Sequence, residues 1–173
     1  MLFRSGSVTV EEGRVDFQNT ANASVAWVVN ANGTLGGKGT INGTLTVNGT
    51  VAPGTNTTET LTVAGTTTFN SGAKLSATIG TDGASSCLAL TGDGEVSIDN
   101  LRVVIPDATN LRHGSGYTYT LLTAENGSIT GMPRFASGMR TSYGADGSRW
   151  MLSVEDTSVQ LSETTMGFAV IIR

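Results

Sequence analysis

Apolar and polar residues alternate in short runs along most of the chain. Leu45 with Val47, and Leu61 with Val63, place every second side chain on one face, and Gly, Asn or Asp ends each run. This alternation predicts β-strands joined by tight turns, and no long helical period interrupts it, so the chain is predicted to be all-β. The predicted inward positions are Val8, Val10, Val15, Phe17, Val25, Trp27, Leu45, Val47, Leu61, Val63, Leu75, Ala77, Ile79, Leu88, Leu90, Val96, Ile98, Leu101, Val103 and Ile105.

The turn signals are closely spaced. A turn is predicted at Glu12-Gly13, and Asn-Gly or Pro-Gly corners recur every few residues between Gly33 and Gly54. Turns in β-sandwiches come about 8–12 residues apart. Strands of roughly four to six residues with sharp corners instead suit a parallel β-helix with coils of roughly 20–25 residues. Residues 1–105 would form about four or five such coils.

The pattern changes from Tyr117 onward. Aromatic residues and Met concentrate in YTYTLLTAENGSITGMPRF and SRWMLSVEDTSVQLS. Their longer alternating strands predict hairpins that close the end of the stack. The segment MGFAVIIR, residues 166–173, predicts one more apolar strand, which we expect to be paired or covered because an exposed apolar strand invites aggregation.

Residues 36–80 carry motifs of a known repeat. GGKGTINGTLTVNGTVAPG followed by TLTVAGTTTFNSGAKLSATIG resembles the passenger-associated transport repeat of bacterial autotransporter proteins, with matches at residues 35–41, 52–54, 61–63 and 70–75. YTYTLLTAENGSITG resembles the segment that commonly follows near the end of such passengers. The resemblance covers residues 33–131 and implies a right-handed β-helix that is secreted or displayed on the surface of a Gram-negative-type bacterium.

With this resemblance the predicted fold is a right-handed parallel β-helix with a C-terminal antiparallel β cap. Residues 1–110 are assigned to the parallel β-helix coils and residues 111–173 to the cap. The membrane barrel of the family does not fit after Ile129. We therefore expect a passenger fragment or mature portion, or a passenger-like protein exported by another route.

Composition and charge narrow the range of partners. Charged residues make up 14% of the chain, against about 25% in ordinary globular proteins, and the formal net charge is −4. No run of Lys or Arg appears, so neither nucleic acid nor an anionic membrane is an expected partner. Outer faces of Thr, Asn and Ser suit many weak polar contacts, and the expected partners are glycans or surface proteins.

The glycine-rich segment around Lys38 does not match a phosphate-binding loop. Gly33, Gly37 and Lys38 are one residue short of the P-loop spacing, and Gly39 stands where Ser or Thr is required. Gly37, Gly39 and Gly43 also miss the dinucleotide spacing. Lys38 is therefore interpreted as a solvated charge on a turn, and no cofactor is predicted.

Three groups of polar residues could carry chemistry. Asp93, Glu95 and Asp99 are interpreted as exposed turn carboxylates, and whether they bind an ion is left open. Asp99, Arg102 and Asp107 are the nearest candidates for a polysaccharide-cleaving site, but carboxylates at a spacing that would align on successive coils do not recur. A loop position beside a turn is expected for the single histidine, His113.

No catalytic, cofactor-binding or metal-binding residues are assigned, and the chain is predicted not to be an enzyme. The predicted function is that of a non-catalytic, surface-displayed or secreted stalk or adhesin-like passenger, with a structural or a glycan- or protein-binding role. The alternative is a small carbohydrate-active β-helix enzyme, a polysaccharide lyase or hydrolase.

Several other residues are interpreted structurally. Cys87, the single cysteine, is predicted to be a small core residue. Trp27 and Trp150 are predicted in the core or cap, with sugar stacking as the alternative for an exposed Trp. The N-x-[ST] sites are interpreted as corners of the stack; they are Asn22, Asn32, Asn42, Asn48, Asn56 and Asn126.

Overall fold

The computed structural model describes residues 6–21 and 25–164, and all its regular elements there are strands, which confirms the all-β prediction for these residues. The predicted strand at 166–173 and the site at Asn22 lie outside the described residues. The strands are β1 (Ser7–Phe17), β2 (Thr20–Ala21), β3 (Ala26–Gly37), β4 (Gly39–Ile41), β5 (Leu45–Val47), β6 (Thr50–Pro53), β7 (Thr60–Val63), β8 (Thr67–Phe69), β9 (Lys74–Ser76), β10 (Cys87–Leu90), β11 (Gly94–Ser97), β12 (Arg102–Val104), β13 (Thr118–Ala124), β14 (Gly127–Thr130), β15 (Arg134–Phe135), β16 (Thr141–Tyr143), β17 (Arg149–Glu155) and β18 (Ser158–Glu163).

Most strands pair in parallel in three runs, and β11 and β14 form a separate parallel pair. In the first run the early part of β3 lies between β1 and β5, and β8 follows β5. In the second run the late part of β3 pairs with β1 and β6, and β9, β12 and β15 follow in order. The third run is β2, β4, β7, β10 and β13. The chain visits the runs in turn, and one such passage is called a circuit below.

Inward side chains of successive circuits lie over one another and form the core. In the second run the register aligns Leu35, Val51, Leu75, Val103 and Phe135. All five are buried, and each buried apolar side chain of this size contributes roughly 1.5–3 kcal/mol. The sequence alternation therefore reflects a core built from ladders of stacked inward side chains.

The C-terminal strands pair differently, so the sheets are mixed. β13 pairs in parallel with β10 on one side and antiparallel with β18 on the other. β18 then pairs antiparallel with β17, and β17 with β16. The antiparallel pairing predicted beyond Tyr117 is present, whereas parallel pairing also continues through β14 and β15. The boundary at residues 110/111 stays a prediction.

Strand β1 departs from the sequence prediction. The turn expected at Glu12-Gly13 is wrong, because β1 continues through these residues and accommodates them by a register shift between Val10 and Glu12. Val15 is 42% exposed although it was predicted to face the core. Val15 pairs with Leu35 on one side, and no strand among the described residues pairs with β1 on its other side.

Circuit length varies more than expected. The ladder partners Leu35 and Val51 are 16 positions apart, whereas Val103 and Phe135 are 32 positions apart. The additional residues lie in loops between strands, because the paired segments of the later circuits remain two to seven residues long. The strand register, rather than a constant repeat length, keeps the ladders aligned.

Glycine allows successive circuits to approach closely at one corner. A Cβ added to Gly43 would lie 1.7 Å from the Val25 carbonyl oxygen, and one added to Gly65 would lie 2.3 Å from the Gly43 carbonyl oxygen. No side chain fits at such distances, so the backbone itself fills this corner. The Asn-Gly signal that the sequence shows at Asn42-Gly43 therefore marks close backbone packing between circuits.

Asparagine side chains connect the circuits at another corner. Asn48 and Asn70 follow the paired residues Val47 and Phe69, and Asn70 Nδ2 donates to Asn48 Oδ1 at 2.9 Å. Farther along the chain, Asn110 Nδ2 donates to the Ile79 carbonyl oxygen at 2.8 Å. These contacts agree with the interpretation of Asn residues as corners, although Asn32 lies inside β3.

Candidate functional site

The outer face of the second run carries a row of cations that the sequence does not reveal. The register pairs Lys74 with Arg102 and Arg102 with Arg134, so these residues occupy the same outward position on three consecutive strands. Neighbouring strands lie roughly 4.8 Å apart. We call Lys74, Arg102 and Arg134 the cationic row.

The same outward position continues toward the first circuit. Lys74 pairs with Thr50, Thr50 with Thr34, and Thr34 with Arg14. On every strand except β1, the outward residue of this row lies next to a buried residue of the same strand. The extended row is therefore made of cations and threonine hydroxyls: Arg14, Thr34, Thr50, Lys74, Arg102 and Arg134.

None of the three row cations pairs with a carboxylate in the described part of the chain. Arg102 Nη1 donates to the backbone carbonyl oxygens of Asp99, at 2.7 Å, and Leu101, at 3.1 Å. Arg134 Nη1 donates to the Gly138 carbonyl oxygen at 3.1 Å. Lys74 is exposed, and no contact of its ammonium group occurs within residues 6–21 and 25–164. Positive charge is therefore held at the surface without a local counter-ion.

Arg14, in contrast, is neutralised. Its guanidinium forms an ion pair with Asp16 at 2.7 Å and donates to the Gly54 carbonyl oxygen at 2.9 Å. Gly36 makes this position accessible, because a Cβ there would lie 2.3 Å from Arg14 Nη2. Arg14 therefore lies across the outer surface of β3 and reaches the corner that follows β6.

A groove of about 300 Å³ lies at this corner, beside the row. Its lining residues include the charged Arg14 and Asp107, the hydroxyl-bearing Ser76 and Thr78, and the apolar Ile79. Asp107 accepts hydrogen bonds from the Thr109 hydroxyl and backbone N–H, which lower the pKa of its carboxyl group. The groove can form polar contacts with a ligand, and Asp107 is the single carboxylate among its lining residues.

The predicted grouping of Asp99, Arg102 and Asp107 is not a compact cluster. Asp99 precedes β12 and Asp107 follows it, so the two carboxylates lie beyond opposite ends of the strand that carries Arg102. Asp99 Oδ1 accepts a hydrogen bond from the Met132 N–H at 3.2 Å. The arrangement gives Asp99 a role in holding a turn, and only Asp107 reaches the groove.

The carboxylates considered for ion binding, Asp93, Glu95 and Asp99, do not share a binding partner. Glu95 Oε1 accepts from the Thr130 hydroxyl at 3.3 Å, whereas Asp99 accepts from the Met132 N–H. Among the described residues, no group of three or more His, Cys, Asp or Glu side chains has an arrangement that could hold a metal ion.

Lys38 makes a defined contact. Its ammonium group forms an ion pair with the Glu59 carboxylate, which also accepts from the Thr57 hydroxyl. The hydrogen bond from Lys38 is the largest cause of the lowered pKa of Glu59. Lys38 is exposed on the bend between β3 and β4, which agrees with the interpretation of a solvated charge on a turn, and its ion pair also connects this bend to the residue before β7.

His113 connects the loop after β12 to the C-terminal strands. His113 Nδ1 lies 2.5 Å from Glu163 Oε1, and its backbone N–H donates to Asp146 Oδ2 at 2.6 Å. The backbone N–H of Gly114 donates to Glu163 Oε2 at 2.9 Å. The loop position predicted for His113 is confirmed, and within the described residues its ring contacts no serine hydroxyl.

The contacts of Asp146 lead to a pH-dependence prediction. Hydrogen bonds from the Ser148 hydroxyl and from the N–H groups of His113 and Ser148 lower the pKa of Asp146 from 3.8 to about 2. A depressed folded-state pKa stabilises the fold above the unfolded value of 3.8, and this contribution is lost as the pH falls toward about 2. We expect Asp146→Asn to lower the denaturation midpoint at neutral pH but not near pH 2.

Denaturant unfolding of both proteins from neutral pH down to about pH 2 measures this difference. Asp93→Asn is the control, because Asp93 is exposed and forms no hydrogen bond within the described chain. The same Asp146→Asn deficit at every pH would contradict the prediction.

Both tryptophans are buried. Trp27 is 4% exposed and packs edge-on against Phe17 at a ring-centroid distance of 5.4 Å. Trp150 is fully buried, and its Nε1 donates to the Ser148 hydroxyl at 2.8 Å. Both residues belong to the core, which is one of the predicted positions, and neither ring is accessible for stacking on a sugar.

Cys87 is half-buried on the outer side of β10 rather than in the core. It alternates with Leu88 and Leu90, which face inward, so the prediction of a core position is wrong. Desolvation by burial raises the pKa of its thiol to about 11, against an opposing hydrogen bond with Thr123. The thiolate is the reactive form of cysteine, so the folded protein holds this thiol in its unreactive state.

We therefore expect iodoacetamide to alkylate Cys87 much more slowly in the folded protein than in the denatured protein at neutral pH. Mass spectrometry of timed samples measures both rates. A glutathione thiol under the same conditions controls for reagent decay, and equal rates in the folded and denatured chains would contradict the expectation.

No protein-family model matches the chain, and a search of curated proteins finds no match. In the described residues no helix has the length and apolar character needed to cross a membrane.

Proposed function

We propose that this chain is a segment of a right-handed parallel β-helix with an antiparallel cap, and that it acts as a non-catalytic scaffold with a binding face. The observation that carries the proposal is the repeated parallel register, which stacks inward residues of successive circuits in three runs. Parallel crossover connections are right-handed in about 98% of cases, which supports the handedness. Such stacks present long, nearly flat outer faces that suit extended ligands.

The repeat resemblance extends this proposal to location. We place the chain among autotransporter-type passengers, secreted or displayed on a bacterial surface, with an adhesin-like or stalk-like role. Protease treatment of intact cells tests the location: the chain should be digested while a cytoplasmic marker survives. Survival of the chain together with the marker would contradict it.

Binding is favoured over catalysis by the content of the groove. Glycoside hydrolysis commonly needs two carboxylates flanking one bond. Asp107 is the single carboxylate among the described residues that line the groove, and the Arg14 guanidinium beside it is already paired with Asp16. The rest of the lining supplies hydroxyls and apolar contacts, which bind sugars without cleaving them.

A turnover assay tests the absence of catalysis. The purified chain is incubated with a panel of neutral and acidic polysaccharides, and new reducing ends and unsaturated products are measured. No product above the protein-free control is expected. Turnover that Asp107→Asn abolishes and Asp93→Asn preserves would overturn the non-catalytic role and favour a carbohydrate-active enzyme.

A further inference from the structure

The cationic row differs from the other charged contacts of the described chain. Arg14 pairs with Asp16, Lys38 with Glu59, and His113 with Glu163. The cations of the row instead face one another on adjacent strands with no carboxylate partner. Like charges directly opposite one another in a sheet are destabilising. A bound anion would relieve this repulsion, so anion binding at the row is electrostatically favourable.

We propose that Lys74, Arg102 and Arg134 bind a linear, uronate-containing polysaccharide whose carboxylates lie along the stack of strands. This inference rests on the proposed function, since it names the ligand class of its binding face. The row is a straight line with steps of roughly 4.8 Å between strands, which fits a single extended polymer. Arg guanidinium groups suit carboxylates because the two planar groups form paired hydrogen bonds.

The neighbours of the row fit a sugar polymer. Thr50 and Thr34 continue the outward position beyond Lys74, and their hydroxyls can contact sugar hydroxyls. On β9 and β12 the next outward residues are Ser76 and Val104, which are small enough to leave the surface shallow. The polymer can therefore lie along the face from Arg134 toward the groove beside Arg14.

A single-stranded nucleic acid fits this face less well. Binding of such strands commonly uses aromatic side chains on which bases stack. The outward positions of the row and its neighbours carry Thr, Ser, Val, Lys and Arg, and the aromatic residue of β15, Phe135, faces the core. The face offers charge and hydroxyls without a stacking surface.

The test compares two triple variants of the full chain. The row variant, Lys74→Gln/Arg102→Gln/Arg134→Gln, neutralises the three cations of the row. The control variant, Lys38→Gln/Arg112→Gln/Arg149→Gln, neutralises three cations outside the row. Polygalacturonate oligosaccharides are the probe, and calorimetry at low and moderate salt gives Kd. We expect the row variant to bind at least tenfold more weakly than wild type and the control variant to stay within about threefold. Added salt should weaken wild-type binding because it screens exposed charges.

Folding is checked separately, because Arg102 also contacts two backbone carbonyl oxygens. The double variant Lys74→Gln/Arg134→Gln leaves those contacts intact and should still bind at least threefold more weakly than wild type. Without ligand its Tm should change little, because loss of the Arg134 hydrogen bond to Gly138 is offset by the removal of like charges facing Arg102. Unchanged binding by a folded double variant would overturn the proposal.

Other outcomes are equally decisive. Equal losses in the row and control triples would show dependence on net charge alone and overturn the assignment. Tighter binding of dextran sulfate, which carries no uronate, or of single-stranded DNA of equal charge, than of polygalacturonate would overturn the uronate assignment. No binding by wild type would overturn this inference and leave the scaffold role standing, whereas cleavage of polygalacturonate would overturn the non-catalytic role itself.

Discussion

Replacing Gly43 with alanine is expected to lower the free energy of unfolding by more than about 3 kcal/mol, the upper part of the range for overpacking. The new Cβ would lie 1.7 Å from the Val25 carbonyl oxygen and 2.5 Å from its carbonyl carbon. These are backbone atoms, so no side-chain rotation relieves the clash, and the two circuits have to separate. Separation would disturb β5 directly, because Trp27 N–H donates to the Thr44 carbonyl oxygen at 2.8 Å beside this corner.

Gly147→Ala is the matched control for this experiment. Gly147 has φ +81° and nothing within 4 Å of an added Cβ, so its replacement costs only the left-handed backbone strain, about 1–2 kcal/mol. Denaturant unfolding followed by circular dichroism measures both variants. If Gly43→Ala costs no more than Gly147→Ala, the close packing at this corner is not a major determinant of stability.

Trp150→Ala is expected to cost about 3–5 kcal/mol, the range for truncating a buried aromatic side chain. Trp150 is fully buried and its ring lies 5.6 Å from that of Tyr119, so it joins β17 to β13. Its indole N–H also donates to the Ser148 hydroxyl, whose oxygen lies 3.3 Å from the Leu111 carbonyl oxygen. Alanine removes both the packing and this link between the hairpin and the loop before β13.

The variant leaves Trp27 as the single fluorophore of its type, at the far end of the stack. If the parallel strands and the C-terminal antiparallel strands unfold as one cooperative unit, the Trp27 emission should change at the same lowered denaturant concentration as the circular dichroism signal. Trp150→Phe retains most of the ring and should recover more than half of the lost stability. A Trp27 transition at the wild-type midpoint would contradict a single unit.

The strand content and the inward ladders could be predicted from sequence because burial imposes a strict period of two on each short strand. Leu61 with Val63 and Leu88 with Leu90 illustrate this, since each pair is buried and aligned in adjacent strands. The continuation of β1 past Glu12 could not be predicted. A bulge and a turn use the same local residues, and the pairing with β3 decides between them.

The cationic row could not be predicted, for a different physical reason. Lys74 and Arg102 are 28 positions apart in the chain, and Arg102 and Arg134 are 32 apart, yet each pair is adjacent across the sheet. Outward positions carry no hydrophobic period, and the loops between circuits differ in length. Only the strand register places the three together, so a search of the sequence for runs of Lys or Arg does not find them.

The corner at Asn48 also affects the rate at which this asparagine deamidates. An Asn-Gly bond deamidates when the glycine nitrogen attacks the asparagine side-chain carbonyl carbon, which requires freedom of both groups. Here the Gly49 N–H donates to the Val29 carbonyl oxygen at 3.1 Å, and Asn48 Oδ1 accepts from Asn70 at 2.9 Å. Both reacting groups are held in place, so the contact that aligns successive circuits also slows the chemical loss of this asparagine for as long as the chain stays folded.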